Sequence, residues 1–290
     1  MRIMKRTLLA VPLALMFSVA AACAPADDAD DTKSDSSAAA SQCAVDQLPL
    51  TTDGKLTIGT DDPAFEPWFV DNDPSNGEGF ESAVAYAVAE QMGFEKGDVV
   101  WTKVPFNTAY QPGKKSFDFD INQVSITAER RQAVDFSEPY YSANQAIIVM
   151  EDSKFADVDG LGDFTTASLG AQIGTTSLKA IESLGTQDAP LVYDDTTKAA
   201  LALQNGQVDG IVADLPTAFY LVAAEIEGAK IAGQFEYTGG EPEEFGLLLQ
   251  KDSKLTPCVD EAVSALAEDG TLADLEQKWL ASSQDVPVLK

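Results

Sequence analysis

The chain of 290 residues has no histidine, only three cysteines, and 19 basic side chains against 47 acidic ones, a formal charge of -28. Without histidine, and without cysteines at the short spacing of zinc sites, no zinc ligand set is expected. Acid–base chemistry would have to rest on a carboxylate. The shortage of Lys and Arg argues against nucleic acid as a partner: a polyanion is repelled by such a field, and no basic stripe interleaved with aromatics occurs. Membrane-spanning runs are missing too. The apolar stretch Leu8 to Val19 is shorter than the ~20 residues a helix needs to cross a bilayer, and Pro12 interrupts it. The acidity bears on solubility; it does not name a ligand.

What is present begins with Arg2, Lys5 and Arg6, the apolar stretch, three alanines and Cys23, the order of an export signal. Ala21 and Ala22 before Cys23 resemble the lipobox of bacterial lipoproteins, with Ala20 where leucine is usual. The resemblance implies a signal peptide at 1–22 and lipidation of Cys23, which would anchor the exported protein to the outer face of the cell membrane. Removal of 1–22 takes away three positive charges and no negative ones, moving the formal charge from -28 to -31. Residues 23–42, mostly Ala, Asp and Ser, have too little apolar surface to fold and are expected to form a disordered tether. With Cys23 lipidated, Cys43 and Cys258 remain as one pair in an oxidising compartment, and a disulfide between them is expected, two free thiols being the alternative.

From about Gly54 short apolar strands alternate with amphipathic helices, an α/β pattern. Strands are expected at Lys55–Thr60, Val99–Val104 and Phe117–Ile126, a helix at Phe80–Met92, and one or two helical turns at Ala128–Val134 after a Thr127 cap. The apolar strand Ala143–Met150 leaves this unit. A second unit follows, with strands at 167–173, 191–193, 208–213 and 230–235 and helices at 176–184, 196–205 and 216–227. Phe245–Gln250 brings the chain back, before two helices at 257–268 and 272–280. Two units joined by one outgoing and one returning strand describe two lobes on a hinge. The expected division is 43–144 with 251–290 as the first lobe, and 145–250, hinge strands included, as the second.

Five passages carry a family resemblance: Ile58 to Trp68 (IGTDDPAFEPW), Gly79-Phe80-Glu81, Ser125 to Arg130 with Val134 to Tyr141, Gly174-Thr175-Thr176-Ser177, and Val208 to Asp214. Together, with Glu268 to Leu272 before Trp279, they resemble the type II periplasmic binding proteins of the polar-amino-acid group, solute-binding protein family 3. The resemblance implies a free, polar amino acid as ligand, bound by lobe closure and delivered by a monomer to the membrane subunits of an ABC importer, with no cofactor. Arg130 presents a planar fork suited to a carboxylate. In the family motif it clamps the α-carboxylate, with Ser125 adding a hydrogen bond and Thr176 donating from the second lobe. Thr175 and Thr176 stand at a strand-to-helix junction that favours an anion. Asp214 ends an apolar strand at the sheet edge where ligands bind, and in the family it holds the α-amine. Phe65 and Trp68 are placed by the family loop against the ligand side chain, Asp62 near its far end or ammonium. Gln123, two residues before Ser125, should share its cleft-facing side. Glu81 departs from the family, where aspartate follows Gly-Phe, and Pro112-Gly113 falls where a helix is usual.

A cyclohexadienyl-dehydratase-like enzyme on the same fold is the alternative, for which a cleft carboxylate such as Asp62 or Glu66 would have to serve as acid or base. The turn Asp71 to Gly77 resembles a calcium loop, but its glycine is one place late and Ser82 stands where a bidentate glutamate belongs, so it reads as a solvated turn. A receptor's sensing domain would need a membrane helix before Lys290, and none occurs.

Overall fold

The computed structural model describes residues 43–237, 239, 243–280 and 286–290. The expected signal peptide, Cys23 and the tether lie outside them. In chain order the regular elements are β1 (Leu56–Thr60), α1 (Phe80–Gln91), β2 (Val99–Lys103), α2 (Phe106–Ala109), β3 (Phe119–Asp120), β4 (Val134–Ser142), β5 (Gln145–Met150) and β6 (Leu169–Gln172). Then come α3 (Thr176–Leu184), β7 (Leu191–Tyr193), α4 (Thr196–Gln204), β8 (Gly210–Asp214), α5 (Leu215–Tyr220), β9 (Ala229–Phe235), β10 (Glu244–Gln250), α6 (Thr256–Glu268) and α7 (Thr271–Leu280).

Two five-stranded sheets result, ordered β2-β1-β3-β10-β4 and β7-β6-β8-β5-β9. In each, parallel strands meet antiparallel ones. β1 is buried along its whole length, as a strand with packing on both faces must be. Gly59 within it is required, because a Cβ there would lie 2.7 Å from Asp120 Oδ1 and 2.9 Å from Val104 Cγ2. The apolar face of α1, with Phe80, Val84, Ala85, Val88 and Ala89, packs in one cluster with Leu56, Ile58, Leu247 and Val263. Gly79 admits that helix at φ 96°, where any Cβ would strike the Trp68 carbonyl at 2.4 Å. The expected disulfide forms: Cys43 is bonded to Cys258 on α6, tying the start of the described chain to the first lobe.

Three expectations are corrected. The returning strand, grouped above with the second lobe, is hydrogen-bonded between β3 and β4 of the first sheet, where Phe245, Leu247 and Leu249 join its core. The tail 286–290, grouped with the first lobe, instead packs on the second, with Leu289 buried beside Phe155 and Phe164 and its amide donating to the Gln234 carbonyl at 2.8 Å. Finally, the strand expected over 117–126 pairs only at Phe119–Asp120. Beyond it Gln123 takes a φ of 48°, which breaks the two-residue alternation of a strand. The helical turns at 128–134 reduce to one 3-10 turn at Arg130–Gln132, and β4, which holds Pro139, occupies a sheet edge where proline is tolerated.

Candidate functional site

The cleft between the lobes holds a small cavity of about 80 Å³. It lies where β1 and β8 end, so their last residues and the loops beyond them form its walls. The lobes are in contact around it. Trp68 Nε1 donates to Thr217 Oγ1 on α5 at 2.8 Å, and Lys179 on α3 pairs with Glu129 of the first lobe at 2.8 Å.

At one end, Ser125 Oγ of the first lobe and Thr176 Oγ1 of the second face each other at 3.1 Å. Thr176 is the first residue of α3, whose cap is Thr175: its hydroxyl accepts from Leu178 N at 3.1 Å and donates to the Gln172 carbonyl at 2.8 Å. Arg130 is buried behind this pair. Its Nη1 donates to the Ser125 carbonyl at 2.6 Å and its Nη2 crosses the cleft to the Gly174 carbonyl at 2.9 Å. The rings of Tyr110 and Phe106 lie 4.8 and 5.5 Å from the guanidinium carbon. Thr127 caps the turn that presents Arg130, accepting from its backbone amide at 3.1 Å.

Asp214 ends β8 and lines the pocket. Its Oδ1 accepts from Gln145 Nε2 at 2.8 Å, and the same amide nitrogen donates to Glu243 at 2.9 Å. Burial raises the Asp214 carboxyl well above the usual carboxylate range, and the neighbouring Glu243 raises it further. Burial also raises Glu243 and Asp61. Asp61 lines the opposite part of the pocket, with its Oδ2 accepting from Phe106 N at 3.1 Å. No Lys or Arg is among the described residues that line it. Arg130 offsets the charge of Asp214 and Glu243 in part, and a pocket walled by desolvated carboxylates is chemically suited to a positively charged guest.

The sequence-predicted residues divide in three ways. Ser125, Thr175, Thr176, Asp214 and Phe65 line the pocket, with the Phe65 ring meeting Tyr220 across the cleft at 5.8 Å. Gln123 lines it too, but its backbone amide donates to Glu81 Oε1 at 2.8 Å and its side-chain amide to Glu81 Oε2, because the positive φ turns the side chain off the expected face. Burial pushes Glu81 up to about 7. Asp62, Trp68 and Arg130 do not line the pocket: Arg130, expected to clamp a carboxylate there, commits Nη1 and Nη2 to the Ser125 and Gly174 carbonyls. Asp62 turns outward to an ion pair with Lys103, and Trp68 is fully buried among Phe80, Tyr141 and Phe245. Asp61 stands where Asp62 was expected. The doubled acid Asp61-Asp62 and the polar Gln145 inside an apolar strand were visible signals. Glu243 had none, because it reaches the cleft only through the path of the returning chain.

The model of the bacterial extracellular solute-binding proteins, family 3, matches residues 56–282. A probable histidine-binding protein of Campylobacter jejuni is 28% identical over 230 residues, covering 77% of this chain and 84% of that one. The ABC transporter glutamine-binding protein GlnH of Bacillus subtilis is 27% identical over 212 residues, covering 71% and 75%. Among solved structures, an ancestral arginine-binding protein bound to arginine superimposes with a TM-score of 0.63 at 30% identity, covering 78% of this chain and 98% of that one. The two mixed sheets are those of type II periplasmic binding proteins, and the match over nearly the whole folded body makes the chain a member of the bacterial extracellular solute-binding proteins, family 3.

Proposed function

We propose that the protein captures a free amino acid with a positively charged side chain by closure of its two lobes, without covalent change, and presents it to an ABC importer. The observation that carries the charge preference is the pair of carboxylates, Asp61 and Asp214, in a pocket whose described lining residues include no Lys or Arg. In this reading Asp214 takes the α-ammonium and Asp61 the distal cation, while Phe65 packs along the methylenes between them. Ser125 and Thr176 take the α-carboxylate, each from its own lobe. Arg130 supplies the balancing charge behind them and bonds the lobes through Gly174. A ligand that touches both lobes has more contacts in the closed form and shifts the population toward it. The arginine, histidine and glutamine named for the relatives are the first candidates. Lipidation of Cys23 and a tether over 23–42 would hold the body at the outer membrane surface within reach of the importer.

Thermal unfolding against a panel of amino acids tests this, using protein unfolded and refolded to remove carried ligand. A ligand at 100 times its dissociation constant stabilises the native state by about 2.7 kcal/mol. Arginine or lysine should give the largest shift, glutamine a smaller one and glutamate none. A shift confined to acidic or apolar amino acids refutes the charge assignment. The absence of any shift refutes amino-acid binding.

A further inference from the structure

Glu243 sits on the returning crossover just before β10 and is 7% exposed. Its Oε1 accepts from Ser125 Oγ at 3.2 Å and from Thr176 Oγ1, while its Oε2 accepts from Gln145 Nε2 at 2.9 Å. Ser125 belongs to the first lobe, Thr176 and Gln145 to the second. One carboxylate of the protein itself therefore bridges the lobes on the two hydroxyls that the amino-acid reading gives to the ligand's carboxylate. Each hydroxyl has one proton to give, and with Ser125 and Thr176 also 3.1 Å apart both protons are engaged within this triangle. A second carboxylate cannot use them while Glu243 stays, and two carboxylates sharing one desolvated site repel.

We infer that Glu243 is a built-in surrogate for the ligand's carboxylate: it latches the lobes together in the empty protein and must be displaced when the amino acid binds. There is room for it to leave. A second cavity opens on the far side of the same contact, lined by Ser125, Thr176 and Glu243 and also by Lys179 and Glu129. A displaced carboxylate turning that way meets the Lys179 ammonium, which otherwise serves Glu129 alone among the ion pairs of the described residues. Two consequences follow. The empty protein is closed to a degree that the latch sets, and the apparent affinity for ligand is the intrinsic affinity multiplied by the unlatched fraction.

The inference rests on the proposed amino-acid site, so its test has one arm that needs no ligand. Small-angle scattering of the refolded, ligand-free protein should give a radius of gyration close to that of the arginine-saturated protein. Ligand-free Glu243→Ala should be measurably larger and contract on adding arginine. Glu243→Gln, which keeps one acceptor oxygen, should fall between. By calorimetric titration, Glu243→Ala should bind arginine at least fivefold more tightly than the wild type, because a competitor for the two hydroxyls has gone and only a solvent-exposed pairing with Lys179 is lost from the liganded form. Far-UV circular dichroism and the Gln variant separate a latch from a folding defect. Equal ligand-free dimensions for the wild type and the Ala variant overturn the latch whether or not arginine binds. Weaker or unchanged arginine binding by a folded Glu243→Ala also overturns it, since Glu243 would then act as a ligand contact or as a purely structural group. If arginine binds neither protein, the proposed ligand fails and the scattering arm alone decides the latch.

Discussion

Arg130→Ala separates closure from folding, because the two hydrogen bonds of the guanidinium belong to different states. The bond from Nη1 to the Ser125 carbonyl, 2.6 Å, lies within the first lobe and persists whether the cleft is open or closed. The bond from Nη2 to the Gly174 carbonyl, 2.9 Å, joins the lobes and exists only when they meet. A hydrogen bond with a charged donor is worth about 1.5–3 kcal/mol. Loss of the cross-lobe bond alone should therefore weaken arginine binding by about 10- to 150-fold at 25 °C when both proteins carry Glu243→Ala, so that no latched empty form shares the bond. Loss of the Ser125 bond and of the packing against Tyr110 and Phe106 should lower the stability of the ligand-free protein by a further ~1–3 kcal/mol. Arg130→Lys keeps a charge but not the planar fork, so it can hold one carbonyl and should fall between. Isothermal titration with arginine measures the first effect, and urea unfolding without ligand the second. Affinity within twofold of the Glu243→Ala parent would refute the reasoning. A stability loss with no affinity loss would assign Arg130 to the fold alone.

Asp61→Asn should weaken arginine binding by about tenfold or more, as removal of one charge partner from a desolvated site does, while glutamine affinity changes less than threefold; equal losses in titrations with both would remove Asp61 from the distal subsite. Replacing Cys43 and Cys258 by serine opens a cross-link spanning 215 residues and should lower stability by about 2–4 kcal/mol in urea unfolding, with unchanged stability excluding the bond in the folded protein. Stability should also fall as pH rises from 5 to 8. Burial raises Asp120, Asp214 and Glu243 in the folded state and Glu81 to about 7, so between about pH 4.5 and 7 the unfolded chain binds fewer protons than the folded one. Glu81 alone accounts for about 3 kcal/mol of this slope; a urea midpoint higher at pH 8 than at pH 5 would contradict it.

Much of this protein was legible in the order of its residues. Apolar strands such as Leu56–Thr60 and Ala146–Val149, the helices that follow them, and the outgoing and returning hinge segments are written as local periodicity, which the chain needs to bury one face of each element. The pairing of Cys43 with Cys258 followed from counting thiols in an exported chain. Asp214 and Thr176 could be placed at the cleft because one ends a strand and the other begins a helix, and in such folds those ends converge, whereas Ser125 was placed by its resemblance to the family motif. Tertiary structure alone decided the rest, because it depended on contacts between residues far apart in sequence. Between the neighbours Asp61 and Asp62, the amide of Phe106 captured the first and Lys103 drew the second outward. Trp68 left the pocket because three aromatic rings, two of them from beyond residue 140, surround it. Glu243 met Ser125 and Thr176 for the same kind of reason: no local pattern marks a glutamate on a crossover, and only the return of the chain beside those two residues brings its carboxylate onto their hydroxyls.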